Sequence, residues 1–429
     1  MTTESRETLQ ARTPLTEPKT PVANRGPGVG KAPDGMGPLL LTVLALLSTV
    51  APFATDLYLP AFPQMVNDLR TDSTGVQLTL TTFLLGIAGG QLCFGPLSDR
   101  FGRKGPLLIG SILCLIASAV AATAPTVEVL ILARLVQGFG GAAGVVIGRA
   151  IIADVASGIA AVRAFNLLMV VGGIAPVVAP MLGGFMLDPL GWRGIMWVLF
   201  GLVALMVISV IFVLRDTTSR GHRLKLHNGP KKNASAIRQL KSRVYLGNAL
   251  TFALAFSILM AYISASPFLY QTMMGLNALQ YGLFFALNAT GFTLTSMLSN
   301  SLANRFPIRA LIGIGLTIVV MASTSLLLMA ITDVPAIWMA VAVFFAAAAL
   351  GLVFGNVTSL AMAEVQRVAG AGSAVLGALQ FGLGAIVSPL VGLAGEHTAV
   401  PLGIVMTSAA FLSCAAFLWA RPKHHLASL

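Results

Sequence analysis

The stretch GPLSDRFGRKGPL at residues 95–107 separates two long apolar runs, which cover residues 74–96 and 105–123. Both runs have the length of a membrane-spanning helix. The basic, glycine-containing connector between them is too short to hold a soluble domain. We therefore expect the function of the chain to lie within a bundle of membrane helices.

Composition supports this interpretation across the whole chain. Charged residues make up 10% of the 429 residues and hydrophobic residues 56%, and the mean hydropathy is +0.86. Soluble proteins have about 25% charged residues. A helix that crosses the hydrocarbon core needs about 20 mostly apolar residues, and the sequence predicts twelve such spans. They lie near 37–61, 74–98, 105–124, 127–152, 161–187, 193–215, 243–268, 279–303, 309–331, 335–361, 370–394 and 399–420.

The spans fall into two related sets of six. The polar, basic stretch 215–243 separates them, and LSDRFGRKGPLLIG after the second span resembles LANRFPIRALIGIG after the eighth without a gap. Long apolar runs satisfy their backbone as helices. The predicted fold is therefore all-α, with twelve transmembrane helices in two six-helix pseudo-symmetric halves, which is a transporter architecture. The predicted divisions are a disordered cytoplasmic tail (1–36), an N-terminal half (37–215), a basic cytoplasmic loop (216–242), a C-terminal half (243–420) and a cytoplasmic tail (421–429).

The net charge of +12 follows the connectors. Lys and Arg concentrate in the tails, the second connector and the middle loop, whereas the alternate connectors are almost bare of them. The positive-inside rule then predicts that both termini are cytoplasmic. Because the orientation of the chain in the membrane accounts for its positive charge, the charge does not indicate nucleic-acid binding. We therefore expect the lipid bilayer as a partner and no nucleic acid.

Several familiar sites are missing from the sequence. The three cysteines lie within apolar runs, so no disulfide framework is predicted. The segment GPGVGKA at 26–32 has the wrong spacing for a phosphate-binding loop and no Ser or Thr after its lysine. The histidines fall in loops or near the C-terminus, so we expect no metal site within the membrane.

Asp56 is the one carboxylate well inside the first span. Removal from water disfavours the charged form of a carboxylate, so a residue at this place could hold and release a proton in each transport cycle. Alternatively, Asp56 marks the outer end of the span and faces water, as Asp68 does. Arg134 lies inside the fourth span and must face protein or a water-filled cavity. It could act on Asp56, bind a substrate, or pair structurally with a polar neighbour.

Three motifs resemble those of the major facilitator superfamily. The connector pattern G-x-L-x-D-R-x-G-R-K is complete as Gly95, Leu97, Asp99, Arg100, Gly102, Arg103 and Lys104. The fourth-span pattern is present as Leu130, Arg134, Gln137, Gly138 and Gly140. The antiporter pattern of the fifth span is partial, with Gly172, Gly173, Pro176, Pro180, Gly183 and Gly184, while Asn166, Ala175 and Ala179 stand where that pattern prefers glycine.

Three further stretches resemble the bicyclomycin and chloramphenicol exporters of the Bcr/CflA family within that superfamily. They are TDLYLPAFP at 55–63, YISASPFLYQ at 262–271 and AGSAVLGALQFGLGAIVSPLVG at 371–392. The resemblance implies proton-coupled efflux of small amphipathic drugs across a bacterial inner membrane, with a proton as the coupling ion and no enzymatic activity or other cofactor. A metabolite exporter or importer of the same fold is the alternative. We expect one chain to form the whole pathway as a monomer.

The chemistry and position of the side chains, together with this resemblance, suggest roles for individual residues. Asp56 and Arg134 are expected to couple protons. Substrate contacts are expected from Asp56, Tyr58, Tyr262, Phe268, Tyr270, Phe285, Asn288, Gln380 and Phe381. Gating at the cytoplasmic face is expected from Gly95, Asp99, Arg100, Gly102, Arg103, Lys104, Arg149 and Asp154. The glycines and prolines of the fifth span are expected to pack between the halves and seal them.

Overall fold

A computed structural model describes residues 37–155, 158–214, 239–303, 305–365 and 369–421. Within these ranges the chain forms helices and contains no β-strand. The α-helices are α1 Pro38–Asp56, α2 Phe62–Asp68, α3 Ser73–Phe101, α4 Lys104–Ala122, α5 Val127–Val155, α6 Gly158–Val213, α7 Arg243–Pro267, α8 Ala278–Leu302, α9 Ile308–Ile331, α10 Ala336–Glu364, α11 Ala369–Leu390 and α12 Val400–Trp419. A 3₁₀ turn, Leu59–Ala61, joins α1 to α2, and a π-helical turn, Phe268–Met273, extends α7.

The helices provide the twelve predicted membrane crossings. Ten segments of the described residues are long and apolar enough to span a bilayer. One of these lies in α6, which is broken at Gly191 into two crossings; the φ of 64° there favours glycine. α8 is not among the ten, because Asn288 and several Thr and Ser side chains make it less apolar. With 25 residues it is nevertheless long enough to cross, and it supplies the twelfth crossing. The all-α fold of twelve crossings is thus confirmed.

The relation between the halves is visible at the start of their second crossings. The Asp72 side chain caps α3 by accepting a hydrogen bond from the amide of Gly75 at 2.7 Å. At the matching place Asn277 and Gln280 form a reciprocal capping box on α8. The same local device therefore begins the second crossing in each half.

The halves meet along α3 with α11 and α6 with α8. Within the N-terminal half, α3 and α5 approach closely because each helix has a glycine that faces the backbone of the other. A Cβ at Gly138 would overlap the carbonyl oxygen of Phe83, and one at Gly90 would overlap that of Phe139. Such small residues let membrane helices pack through their backbones. The predicted tail 1–36, loop residues 216–238 and tail residues 422–429 lie outside the described residues.

Candidate functional site

A cavity of about 240 Å³ lies between the two halves. Residues of α1, α3, α5 and α6 line one side, and residues of α7, α8, α10 and α11 line the other. Its walls are mainly aliphatic and aromatic. The polar side chains on the wall are Thr55, Asp56, Gln91, Tyr262 and Asn288. A mostly apolar cavity with a few polar groups is the usual form of a small-molecule site.

Asp56 lies at the last turn of α1 and faces this cavity. Only 4% of the residue is exposed. Among the described residues that line the cavity, it is the one carboxylate, and none of them is Lys, Arg or His. Asp68 behaves differently, since it is exposed and accepts a hydrogen bond from Trp192 Nε1 at 3.0 Å. Asp56 is therefore not a water-facing counterpart of Asp68 in this conformation.

Arg134 lies fully buried in α5, beside the end of α1. Its Nη2 donates to the backbone oxygen of Ala54 at 2.6 Å, and its Nη1 donates to Gln137 Oε1 at 2.6 Å. The guanidinium lies against the rings of Tyr58 and Phe83, 4.4 and 4.2 Å from their centroids. Among the described residues Arg134 forms no ion pair. Its contacts hold the last turn of α1, next to Asp56, rather than the cavity wall.

Asn288 organises the opposite wall. Its Nδ2 donates to the hydroxyls of Tyr262 and Tyr270, each at 2.8 Å. The ring of Phe285 stacks on Tyr262 with centroids 5.5 Å apart. These bonds fix the orientation of Tyr262, whose side chain reaches the cavity. Buried polar groups joined in this way specify one arrangement of the surrounding aromatic side chains.

The predicted substrate residues divide into two groups. Those that line the cavity are Asp56, Tyr262, Phe285, Asn288 and Phe381. Those outside its lining are Tyr58, Phe268, Tyr270 and Gln380. The hydroxyl of Tyr58 instead forms a hydrogen bond with Thr79 Oγ1 at 3.1 Å. The ring of Phe268 packs against that of Phe62.

Sequence reasoning missed several lining residues. They include Thr55, Leu84, Ile87, Gln91, Phe256, Leu259, Met260, Ile263 and Phe292. On α7, Phe256, Met260 and Ile263 recur at helical spacing and share one face. Because α7 is buried almost all round, this face could not be distinguished by hydropathy alone.

The predicted gating residues of the connector form an ion-pair network. The buried Arg103 contacts Asp99 Oδ1 at 2.5 Å and Asp154 Oδ2 at 2.7 Å. Burial alone would lower the pKa of Arg103, but hydrogen bonds and attraction from the two carboxylates raise it overall. Gly102 adopts a φ of 93°, which lets the chain turn sharply between α3 and α4.

The remaining connector residues are less enclosed. Lys104 Nζ donates to the backbone oxygen of Ile211 at 3.0 Å. Arg100 is exposed and lies over the ring of Phe101. Gly95 is partly buried on α3, and Arg149 is exposed on α5, one turn beyond Val145 of the cavity wall.

The first part of α6 packs against both halves. A Cβ at Gly183 would overlap the carbonyl oxygen of Leu57, and one at Gly184 would overlap that of Ala278 at the start of α8. Pro176 lines the cavity, and the Pro180 carbonyl lies close to Gly282 of α8. Gly172 and Gly173 fall in the stretch 156–173, outside the residues whose side-chain surroundings the structure describes.

Comparison with known proteins identifies the family. Residues 44–389 match the model of the Major Facilitator Superfamily, and the chain belongs to this family of membrane transporters. It is 35% identical to the "Uncharacterized MFS-type transporter YdgK" of Bacillus subtilis (strain 168), over 90% of this chain and 96% of that protein. It is 29% identical to the "Bicyclomycin resistance protein homolog" of Haemophilus influenzae (strain ATCC 51907 / DSM 11121 / KW20 / Rd), over 88% of this chain and 95% of that protein.

Solved structures share the fold. A bacterial homologue of the human lysosomal transporter Spinster, in an inward-facing and occupied conformation, superposes with a TM-score of 0.71. The match covers 90% of this chain and 97% of that one, at 16% sequence identity. The chain is therefore a multi-pass membrane transporter with the fold of this superfamily.

Proposed function

We propose that this protein is a proton-coupled antiporter that exports small amphipathic drugs by alternating access. The observation that carries the proposal is the position of Asp56, a buried carboxylate on the wall of an apolar cavity between the halves. The drugs we expect are chloramphenicol-like or bicyclomycin-like. Similarity to a bicyclomycin resistance protein homologue supports this substrate class.

The environment of Asp56 would couple drug binding to proton binding. An isolated carboxylate in an apolar, enclosed site is costly in its charged form, so the neutral form is favoured there. Water or the polar groups of a bound drug would stabilise the ionised form. Loading a drug would therefore favour release of the proton, and losing the drug would favour its uptake. This reciprocal effect on one site is what antiport requires.

Arg134 fits a supporting role in this scheme. It fixes the carbonyl of Ala54 and so the end of α1 that carries Asp56. We propose that it positions the proton-binding carboxylate and does not bind the drug, because it lies outside the cavity lining. Gating by the Arg103, Asp99 and Asp154 network would act at the opposite end of the first half.

We place the protein in a bacterial inner membrane with both termini in the cytoplasm. The distribution of Lys and Arg among the connectors supports this orientation. With it, the Arg103 network lies at the cytoplasmic face, and the turn that contains Asp72 lies at the outer face. A single chain supplies both walls of the cavity, which supports a monomer as the transporting unit.

Proton release on drug binding tests the proposal. Chloramphenicol and bicyclomycin are added separately to the purified protein in weakly buffered detergent, and the pH change is recorded for wild type, Asp56→Asn and Asp188→Asn. Asp188 is exposed and serves as the matched carboxylate control. Release by wild type and Asp188→Asn, but not by Asp56→Asn, is expected. Equal release by all three would move the coupling site away from Asp56.

Flux measurements test the antiport itself. In reconstituted vesicles, drug movement should depend on an imposed pH gradient and lose that dependence in Asp56→Asn. Drug flux that ignores the gradient in wild type would overturn the proposal. Gradient-driven movement of a metabolite but of neither drug would favour the metabolite transporter instead.

A further inference from the structure

Side-chain hydrogen bonds between the halves cluster at one end of the bundle. In the described residues, the side-chain hydrogen bonds between the halves link Ser73 with Gly392, Gln77 with Ser264 and Ser388, and Gln271 with Pro60. We call this the closed end; it carries the turns at 69–72, 274–277 and 391–399. Gln77 is in the second turn of α3, seven residues before Leu84 of the cavity wall, which corresponds to about 10 Å along the helix.

Gln77 makes two of these contacts from one position. Its Nε2 donates to the backbone oxygen of Ser264 on α7 at 3.2 Å, and its own backbone oxygen accepts from Ser388 Oγ on α11 at 3.4 Å. The two serine hydroxyls lie 2.8 Å apart. The pair Ser264 and Ser388 therefore presents a donor and an acceptor together to one glutamine of the opposite half.

The fit around Gln77 is close but incomplete. The residue is 1% exposed, and its buried Oε1 has no hydrogen-bond partner among the residues that the structure describes. A Cβ at Gly392 would overlap this oxygen, so the turn after α11 reaches Gln77 through a glycine. A buried acceptor without a protein partner opposes the closed arrangement, since the oxygen would be hydrated if the halves separated. Gln77 thus contributes both a bond that favours closure and an oxygen that opposes it.

We propose that Gln77, held by Ser264 and Ser388, is the latch that sets the balance between the closed and open states of this end. The inference rests on the proposed alternating-access transport, which requires this end to open in each cycle. In the described part of the chain the ion pairs are those of Arg103, and the closed end is held by hydrogen bonds, which suits repeated opening. Weak polar contacts can be exchanged for water at little cost, whereas a buried ion pair is costly to separate. The closed end would then be bistable rather than fixed.

Distance measurements without drug or pH gradient test the latch directly. Spin labels are placed on Asn67→Cys and Ala394→Cys, both exposed at the closed end, in a full-length chain carrying Cys93→Ser, Cys114→Ala and Cys414→Ala. The protein is reconstituted in lipid nanodiscs. Gln77→Leu keeps most of the side-chain volume but removes the amide. Gln77→Leu removes the bond to Ser264 together with the unpaired oxygen, so its two effects on the open-to-closed ratio oppose each other, and we expect a smaller change than Ser388→Ala gives.

Two serine variants form a matched pair. Ser388→Ala removes the hydroxyl that donates to the Gln77 backbone oxygen and leaves the unpaired Oε1 in place. It should shift the open-to-closed ratio about 5-fold towards the open state, as loss of one net hydrogen bond predicts. Ser257→Ala removes a buried hydroxyl that bonds only within α7, to the oxygen of Ala253, and should leave the ratio unchanged. Ser388→Ala also keeps the test decisive if Gln77→Leu fails to fold.

The outcomes separate the latch from the transport function. Unchanged distance distributions in both Gln77→Leu and Ser388→Ala would overturn the latch, even if drug transport were intact. An equal shift in Ser257→Ala would overturn it as well, because the effect would not depend on contact between the halves. A shift confined to the two latch variants supports it, including in a protein that moves neither drug tested.

Discussion

Arg134 Nη2 lies 2.6 Å from the backbone oxygen of Ala54, two residues before Asp56. The carbonyl groups at the C-terminal end of a helix carry partial negative charge, which a cation stabilises. Here the cation comes from α5 and meets the end of α1 inside the bundle. The guanidinium thus fixes the backbone that presents the cavity carboxylate.

Replacing Arg134 with lysine should be disruptive although the charge is kept. A lysine ammonium cannot lie flat between Tyr58 and Phe83 while reaching both Ala54 and Gln137. We expect a loss of stability of about 2 kcal/mol, since a hydrogen bond to a charged group contributes roughly 1.5–3 kcal/mol. Thermal unfolding in detergent, followed by tryptophan fluorescence, measures it.

Arg193→Lys is the control for this substitution. Arg193 also lies over an aromatic ring, that of Trp192, and donates to a backbone oxygen, that of Ala124 at 3.1 Å. It lies near the end of the bundle and is partly exposed. Its replacement should therefore lower the melting temperature much less. Equal effects of the two changes would contradict an enclosed structural role for Arg134.

Alanine at Gly183 or Gly184 should separate helices that touch through their backbones. The added methyl group would overlap carbonyl oxygens of Leu57 or Ala278, and the backbone cannot rotate away as a side chain can. Overpacking of this kind costs about 1–3 kcal/mol. Gly201→Ala on the same helix meets nothing within 4 Å and is the control. Melting temperatures should fall for the first two variants alone. A similar fall in Gly201→Ala, where the methyl group meets nothing and alanine favours the helix, would contradict overlap as the cause.

The fold could be predicted from the sequence because hydropathy carries most of it. The apolar runs and the repeated connectors give twelve crossings, and the structure confirms them. The sequence predicts the break at Gly191 to within a few residues, because one apolar run ends near 187 and the next starts near 193. Its positive φ was not predicted, because many glycines lie in these helices and only one of them, in the described part of α6, turns the chain.

The site was harder to predict for a physical reason. Asp56 could be identified because a carboxylate is rare inside an apolar run. Gln77 and Gln91 gave no comparable signal, since a neutral amide is common and its importance depends on what lies opposite. Tyr58 and Tyr270 were expected at the cavity, yet their hydroxyls bond to Thr79 and Asn288 within the packed helices. Sequence shows that a side chain is polar but not which neighbour satisfies it.

Tyr262 and Tyr270 allow cavity contact to be separated from packing. Both hydroxyls accept from Asn288 at 2.8 Å, but only Tyr262 lines the cavity. Each change to phenylalanine should lower stability by about 1 kcal/mol through the lost hydrogen bond. Only Tyr262→Phe should also alter the dissociation constant of a bound drug, measured by equilibrium dialysis. Equal effects of both changes on binding would show that the network, and not direct contact, matters.

Glu396 should make the closed end sensitive to acid. It lies half-buried in the turn between α11 and α12, beside a small pocket that Gln77 and Phe268 also line. Burial raises the pKa of Glu396, and the charge of Asp72 raises it further, while His397 lowers it. If opening this end exposes Glu396 to water, its pKa there returns towards the ordinary value of about 4.3. The closed state therefore binds the proton more tightly than the open state does.

The sign of the pH effect follows by linkage. Because protons bind preferentially to the closed state, the extra stability of closure is fully present below the ordinary pKa and is lost as the pH rises through the raised one. The distance distribution between labels at Asn67→Cys and Ala394→Cys should thus move towards the open state on raising the pH across this interval. Glu396→Gln should remove that dependence and stay closed at the higher pH. A pH response that persists unchanged in Glu396→Gln would assign it to another group, with Asp72→Asn as the next variant to measure.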